Sequence, residues 1–126
     1  MKTVSICVGH SREGDSGALS ISGRSEWNYN EPVAEMLATI LRSAGVKVYV
    51  HDSYPGLDYT VAMRALSNAL NVEDPDCAIE LHFNSATPNA KGFEYLYWKT
   101  SKKGKRLAEI FQRTHRERSP QQRDRG

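Results

Sequence analysis

The sequence lacks several features that would assign a protein to a class at once. Its 126 residues include only two cysteines and five prolines, and no apolar stretch approaches the roughly 20 residues that span a bilayer. Two cysteines do not make a disulfide framework, and the first residues show no signal-peptide pattern. We therefore expect a single folded domain in a reducing, cytoplasmic environment, with no membrane partner.

Charge is distributed unevenly along the chain. Residues 1–98 contain 7 Lys/Arg and 12 Asp/Glu, whereas residues 99–126 contain 10 and 3, so the net charge changes from −5 to +7. We interpret the basic end as a solvated helix over residues 101–118 followed by a polar basic tail over residues 119–126. Attraction to an anionic polymer, either of the cell wall or a nucleic acid, is the alternative. We expect no nucleic acid partner.

Hydrophobic periodicity alternates between strand and helix types along the chain. It predicts strands and helices in turn, with strands at residues 4–8, 46–50, 77–82 and 93–98 and helices at residues 30–44, 58–70 and 101–118. Pro32 places the start of the first helix near Asn30, because proline inside a helix costs about 3 kcal/mol. The alternation is typical of an α/β fold, with a mostly parallel or mixed sheet flanked by helices on both faces.

Three potential metal ligands lie near the ends of predicted elements. His10 follows the first strand, His82 ends the third, and Glu26 precedes the first helix. The carboxyl ends of parallel strands meet at one edge of a sheet, so these side chains could converge. Imidazoles and a carboxylate suit zinc, which keeps its fourth position for water in catalytic sites. From spacing alone, a hydrogen-bonded histidine and a solvated acid near a helix start are the commoner outcomes.

Six segments, taken in order, resemble the zinc-dependent N-acetylmuramoyl-L-alanine amidases of the amidase-3 type. They are residues 4–10, 25–30, 45–49, Arg64 with Asn68, 80–85 and 92–97. The resemblance implies a phosphorylase/hydrolase-like, zinc exopeptidase-like fold, with residues 1–118 as the catalytic domain. It also implies cleavage of the amide between N-acetylmuramic acid and L-alanine in bacterial peptidoglycan. On the family's pattern, His10, Glu26 and His82 are the zinc ligands.

One part of the family pattern has no counterpart in this sequence. Members carry a further glutamate near the end of a late strand, in a segment resembling Pro-Ala-Val-Leu-Val-Glu, where it acts as general base or as electrostatic partner of the reacting water. We expect the last strand and helix of the family fold to be missing, through truncation, a frameshift or separation from a longer parent. Since acid–base help is worth about 10² to 10⁴-fold, we expect zinc binding with slow cleavage.

Other residues have weaker signals, and each has a structural alternative. Strand alternation places Glu80 on the same face as His82, where it could orient that imidazole, act as the catalytic base, or make an unrelated contact. Arg64 and Asn84 are candidates for substrate binding, with an acidic partner and a loop-fixing amide as their alternatives. Trp27 could pack under the first helix or face a glycan. We expect the two remaining histidines to be exposed, namely His51 and His115.

Three functional classes remain open. The first is a peptidoglycan amidase, which without a signal peptide suits a phage endolysin that leaves the cytoplasm through a holin-made pore. The second is a zinc exopeptidase of related fold that acts on free peptides. The third is a noncatalytic module that binds zinc and the cell wall, with affinity that falls as salt rises if the basic tail supplies it. The sequence favours the amidase and leaves the oligomeric state open.

Overall fold

The computed structural model forms two compact units, residues 1–85 and residues 86–126. The first unit contains five elements, β1 (Thr3–Val8), α1 (Glu26–Ser43), β2 (Lys47–His51), α2 (Tyr59–Glu73) and β3 (Cys77–Leu81). The second contains α3 (Lys102–Arg118). The structure describes residues 2–10, 17, 19, 22–53, 58–83 and 92–118. The predicted tail at residues 119–126 and the candidate Asn84 lie outside these ranges.

The three strands form one parallel sheet with β1 in the middle, in the order β2-β1-β3. Cys7 of β1 lies opposite His51 of β2 on one side and opposite Glu80 of β3 on the other. All three strands therefore end at the same edge. The sheet and its helices confirm the prediction of an α/β fold.

The α1 face of the sheet is the apolar core of the first unit. The buried side chains of this cluster come from β1, β2 and α1, and they are Ile6, Val8, Ala34, Ala38 and Val48. The helix contributes alanines at its closest positions, which let its backbone approach the strands. Burial of this apolar surface is the dominant favourable term in folding.

The opposite, α2 face of the sheet is partly polar. Cys7, Ala62 and Leu66 form its small apolar cluster. Beside them the hydroxyl of Ser5 donates to Glu73 Oε2 at 2.6 Å, and His51 Nε2 lies 2.6 Å from Glu73 Oε1. His51 is thus half-buried and paired, contrary to the prediction that it is exposed.

The prediction that α1 begins near Asn30 is wrong, because the helix begins one turn earlier, at Glu26. Ser25 caps it, and its Oγ accepts a hydrogen bond from the backbone N–H of Asn28 at 3.1 Å. A serine side chain at this position satisfies one of the N–H groups that have no partner in the first turn. The cap therefore determines where the helix begins.

Pro32 lies inside α1 and does not determine its start. A proline within a helix removes the hydrogen bond to the carbonyl four residues earlier, here that of Asn28. The guanidinium of Arg24 lies 3.3 Å from that carbonyl oxygen and donates to it. A side chain thus replaces the missing backbone donor, which explains why the helix tolerates the proline.

The second helix follows its sequence signals at one end and extends beyond them at the other. Asp58 caps α2 as predicted, and its Oδ1 accepts from the N–H of Val61 at 2.9 Å. The helix continues three residues past the predicted end, to Glu73, and closes at Asp74, whose φ of 47° is left-handed. Val61, in the first turn, is exposed.

The second unit is built on α3 and an aromatic cluster. The helix agrees with its prediction, whereas residues 93–98 are not a strand, since no strand pairs with them among the described residues. Phe93 stacks on His115 with ring centroids 3.6 Å apart, and Tyr95 stacks on Phe111 at 5.7 Å. His115 Nδ1 also lies 3.0 Å from the Tyr95 hydroxyl, so this histidine is half-buried, contrary to prediction.

The described helices are α1, α2 and α3. Within the described part of the chain, each falls short of the length and apolar character needed to cross a bilayer.

Candidate metal centre

The ends of β1 and β3 are joined closely at the carboxyl edge of the sheet. The N–H of Gly9 donates to the carbonyl of Leu81 at 2.9 Å, which brings His10 beside His82. A Cβ on Gly9 would overlap the His82 ring and lie 2.6 Å from the Leu81 carbonyl oxygen, so only glycine allows this approach. His10 itself has a φ of 67°, an uncommon value for a residue with a side chain.

Glu26 lies between the two imidazoles and is 2% exposed. Its Oε2 lies 3.2 Å from His10 Nε2, and its Oε1 lies 3.1 Å from His82 Nδ1. The backbone N–H of Phe83 donates to Oε1 at 2.6 Å and holds the carboxylate in place. As the first residue of α1, Glu26 also has its negative charge at the positive end of the helix dipole.

The donor set has the composition of a zinc site. One atom from each of His10, Glu26 and His82 lies within 4.8 Å of the others, and the two rings meet edge-on with centroids 5.4 Å apart. A buried carboxylate is costly unless positive charge accompanies it, either on protonated imidazoles or on a cation. Two imidazoles and one carboxylate are among the ligand sets that catalytic zinc uses. These residues therefore fit a zinc ion.

Gly17 packs closely against the side chains of Glu26 and His10. A Cβ there would lie 2.6 Å from Glu26 Oε2 and 2.7 Å from a carbon of the His10 ring, and the φ of 78° also favours glycine. Sequence reasoning missed Gly17 and the N–H of Phe83. The only sequence signal for Gly17 was the Gly/Ser-rich composition of residues 11–25. That composition does not identify which glycine approaches His10 and Glu26.

Glu80 contacts the centre from the other side of His82. Its Oε1 lies 3.0 Å from His82 Nε2. The hydrogen bond to Glu80 is the largest cause that raises the pKa of the His82 imidazole; partial burial opposes it, and Glu26 adds a smaller upward contribution. Of the three roles predicted for Glu80, the geometry favours the contact with His82.

A family model described as N-acetylmuramoyl-L-alanine amidase matches residues 4–126. The chain belongs to this amidase family. Membership implies a hydrolase that acts on the peptidoglycan of the cell wall, and the family is typically metal-dependent. No curated protein and no solved structure gives a significant match to the chain.

Trp27 holds the start of α1 next to the candidate metal centre. Its indole N–H donates to the carbonyl of Asp52 at 2.7 Å, and its ring packs against the α1-face core. Of the two predicted alternatives, Trp27 therefore takes the packed one. The bond ties the start of α1, and with it Glu26, to the end of β2.

An aromatic pair lies next to the candidate metal centre. The rings of Tyr29 and Phe83 lie 5.1 Å apart, and the guanidinium of Arg24 lies 5.2 Å from the centroid of the Tyr29 ring. Tyr29 is largely exposed, while Phe83 is half-buried. Arg64 lies on the exposed side of α2, and its substrate role stays a prediction.

A second group of acidic side chains also lies close together. Carboxylate oxygens of Glu31, Glu35 and Asp52 are within 4.8 Å of one another. The group contains no imidazole or thiol, and clustered surface carboxylates are common without an ion. We assign no function to it.

Proposed function

We propose that this chain is a zinc-dependent peptidoglycan amidase that hydrolyses the amide bond between the lactyl group of N-acetylmuramic acid and L-alanine. The observation that carries the proposal is the convergence of donor atoms from His10, Glu26 and His82 at the carboxyl edge of the sheet. The family match supports the substrate class, and the chemistry of the donors supports zinc.

Each residue of the centre has a defined part in this proposal. Zinc, when bound, supplies Lewis acidity that polarises an amide carbonyl and makes water more nucleophilic near neutral pH. Glu26 offers a carboxylate fixed by the Phe83 N–H, while the His10 and His82 side chains are 25% and 45% exposed. The exposed imidazoles lie on the side from which a polymeric substrate can approach.

Two further residues belong to the proposed site as substrate contacts. Arg64 and Asn84 match positions of the family's pattern and are proposed to contact substrate. The slow cleavage expected from the sequence stays a prediction. The endolysin interpretation stays a prediction of the sequence.

Metal content tests the ligand assignment. We expect about one zinc ion per purified chain, and its loss in His82→Ala, because two remaining donors do not hold zinc tightly. His115→Ala is the matched control, since this histidine lies in the aromatic cluster of the second unit. Elemental analysis after dialysis measures both variants. Equal zinc content in wild type and His82→Ala would end the assignment.

Substrate specificity separates the amidase from its rivals. We expect release of a new L-alanine amine from a muramyl-peptide and no cleavage of peptides that carry no sugar. Faster turnover of free peptides would instead indicate an exopeptidase. Binding of purified cell walls without any released amine, at full zinc content, would indicate the noncatalytic module.

A further inference from the structure

Two different carboxylates hold the ring of His82. Its Nδ1 lies 3.1 Å from Glu26 Oε1, among the donor atoms of the centre. Its Nε2 lies 3.0 Å from Glu80 Oε1. The two nitrogens of one imidazole thus have separate partners, one inside the ligand group and one outside it.

The backbone of β3 positions Glu80. The residue lies opposite Cys7 in the parallel register between β1 and β3, and it precedes His82 by two positions. Strand alternation directs both side chains to the same face. Because Glu80 belongs to a hydrogen-bonded strand and not to a loop, its carboxylate approaches the His82 ring from a rigid support.

We propose that Glu80 is a positioning residue that accepts the Nε2–H of His82 and thereby directs the Nδ1 lone pair to the zinc ion that the centre would hold. A neutral imidazole carries one N–H donor and one acceptor nitrogen, and the partner of the first decides the availability of the second. The inference rests on the proposed function, in which His82 is a zinc ligand through Nδ1.

A carboxylate in this position has a known physical effect on metal binding. It fixes the tautomer and the orientation of the ring and makes the ligating nitrogen more basic, and its removal typically weakens metal affinity about 10- to 100-fold. A catalytic base would behave differently, since its loss slows turnover without weakening zinc. The two roles for Glu80 can therefore be separated by measuring zinc affinity alone.

The first experiment measures zinc affinity of the full chain by competition with a chelator. We expect Glu80→Ala to bind zinc about 10- to 100-fold more weakly than wild type. Glu80→Gln should lose less zinc affinity, since the glutamine amide oxygen can accept the same N–H. Glu109→Ala, on the exposed surface of α3, removes an equal charge and should leave the affinity unchanged.

The second experiment observes the Nε2–H of His82 directly. Long-range ¹H–¹⁵N spectra of the zinc-loaded chain should show a His82 proton on Nε2, at the downfield shift of an N–H that donates to a carboxylate. In Glu80→Ala this proton should move upfield and exchange faster with water, because its acceptor is gone. A side chain that only stabilised the fold would leave this N–H unchanged, so the spectrum isolates positioning.

The possible results distinguish the role of Glu80 from the proposed role of His82 as a zinc ligand. Undiminished zinc in His82→Ala would overturn the ligand set itself. Loss of zinc in His82→Ala, together with wild-type zinc affinity and a wild-type Nε2–H signal in Glu80→Ala, would overturn only the positioning role. Slower turnover in Glu80→Ala at unchanged zinc affinity would also overturn it, in favour of a catalytic base.

Discussion

The two faces of the central sheet differ in chemistry although the same three strands supply both. The face covered by α1 buries aliphatic side chains from β1 and β2, namely Ile6, Val8 and Val48. The face covered by α2 carries a hydroxyl, a thiol, an imidazole and a carboxylate from the strands, and they belong to Ser5, Cys7, His51 and Glu80.

The difference shows how a small domain combines stability with an ordered site. Apolar burial on the α1 face supplies non-directional free energy. Hydrogen bonds on the α2 face contribute less net stability, but they have direction and can fix a ring or a carboxylate. Glu80 is the member of this polar face that contacts the candidate metal centre, through His82.

The largest expected effect concerns the reactivity of the two thiols. Burial, with smaller contributions from the charges of Glu80 and Glu73, raises the pKa of Cys7 from 9.0 to about 12. At pH 8 the thiolate fraction then falls about a thousand-fold, and alkylation should slow by that factor in the folded, metal-free chain compared with the urea-unfolded chain. Mass spectrometry of iodoacetamide-treated samples measures the rate at each cysteine.

Cys77 serves as the internal reference for this experiment. Cys77 belongs to β3, where it pairs with Val4 of β1 on the α1 side of the sheet. It is only half-buried. Its pKa is also raised by burial, but its partial exposure should let it react before Cys7. If Cys7 reacted first, the α2 face would be open to solvent, contrary to its burial here.

The second prediction addresses the apolar face. Ile6→Ala removes a side chain that is 0% exposed and should lower the free energy of unfolding by about 2–5 kcal/mol, because it leaves a cavity between β1 and α1. Ile40→Ala is the matched control, since that isoleucine is 64% exposed and should change stability little. Urea titration measures both. Equal losses would mean that the α1 face is not the core.

Much of this fold could be predicted from local pattern. The three paired strands and α3 agree with their periodicity to within one or two residues, because alternation and helical spacing report directly on which face is buried. The convergence of His10, Glu26 and His82 could also be anticipated, since residues that follow parallel strands meet at one edge. These features depend on short segments and on a general rule of topology.

The remaining features depend on contacts between distant residues. The start of α1 was misplaced because the rule for Pro32 considers its missing N–H and not a donor such as Arg24, which reaches the carbonyl of Asn28. Residues 93–98 have strand-like composition, but composition cannot provide a partner strand. The contact of Gly17 with the ligands depends on how a loop folds back, and spacing does not encode this.

The smallest expected effect tests the polar face. Glu73→Ala removes the acceptor of the Ser5 hydroxyl and the partner of His51, both of which lie under α2. Leaving a buried donor unsatisfied costs about 1–3 kcal/mol, so this variant should lose less stability than Ile6→Ala. Glu109→Ala, on the exposed surface of α3, controls for the loss of charge and should be nearly neutral.

A double-mutant cycle sharpens this result. If the bond between Ser5 and Glu73 carries the effect, Ser5→Ala combined with Glu73→Ala should cost less than the two single losses added together, because the double variant leaves no orphaned hydroxyl. Urea titration of the four chains gives the coupling free energy. Additive losses would mean that the two residues act independently, and the cost of Glu73→Ala would then come from its contact with His51.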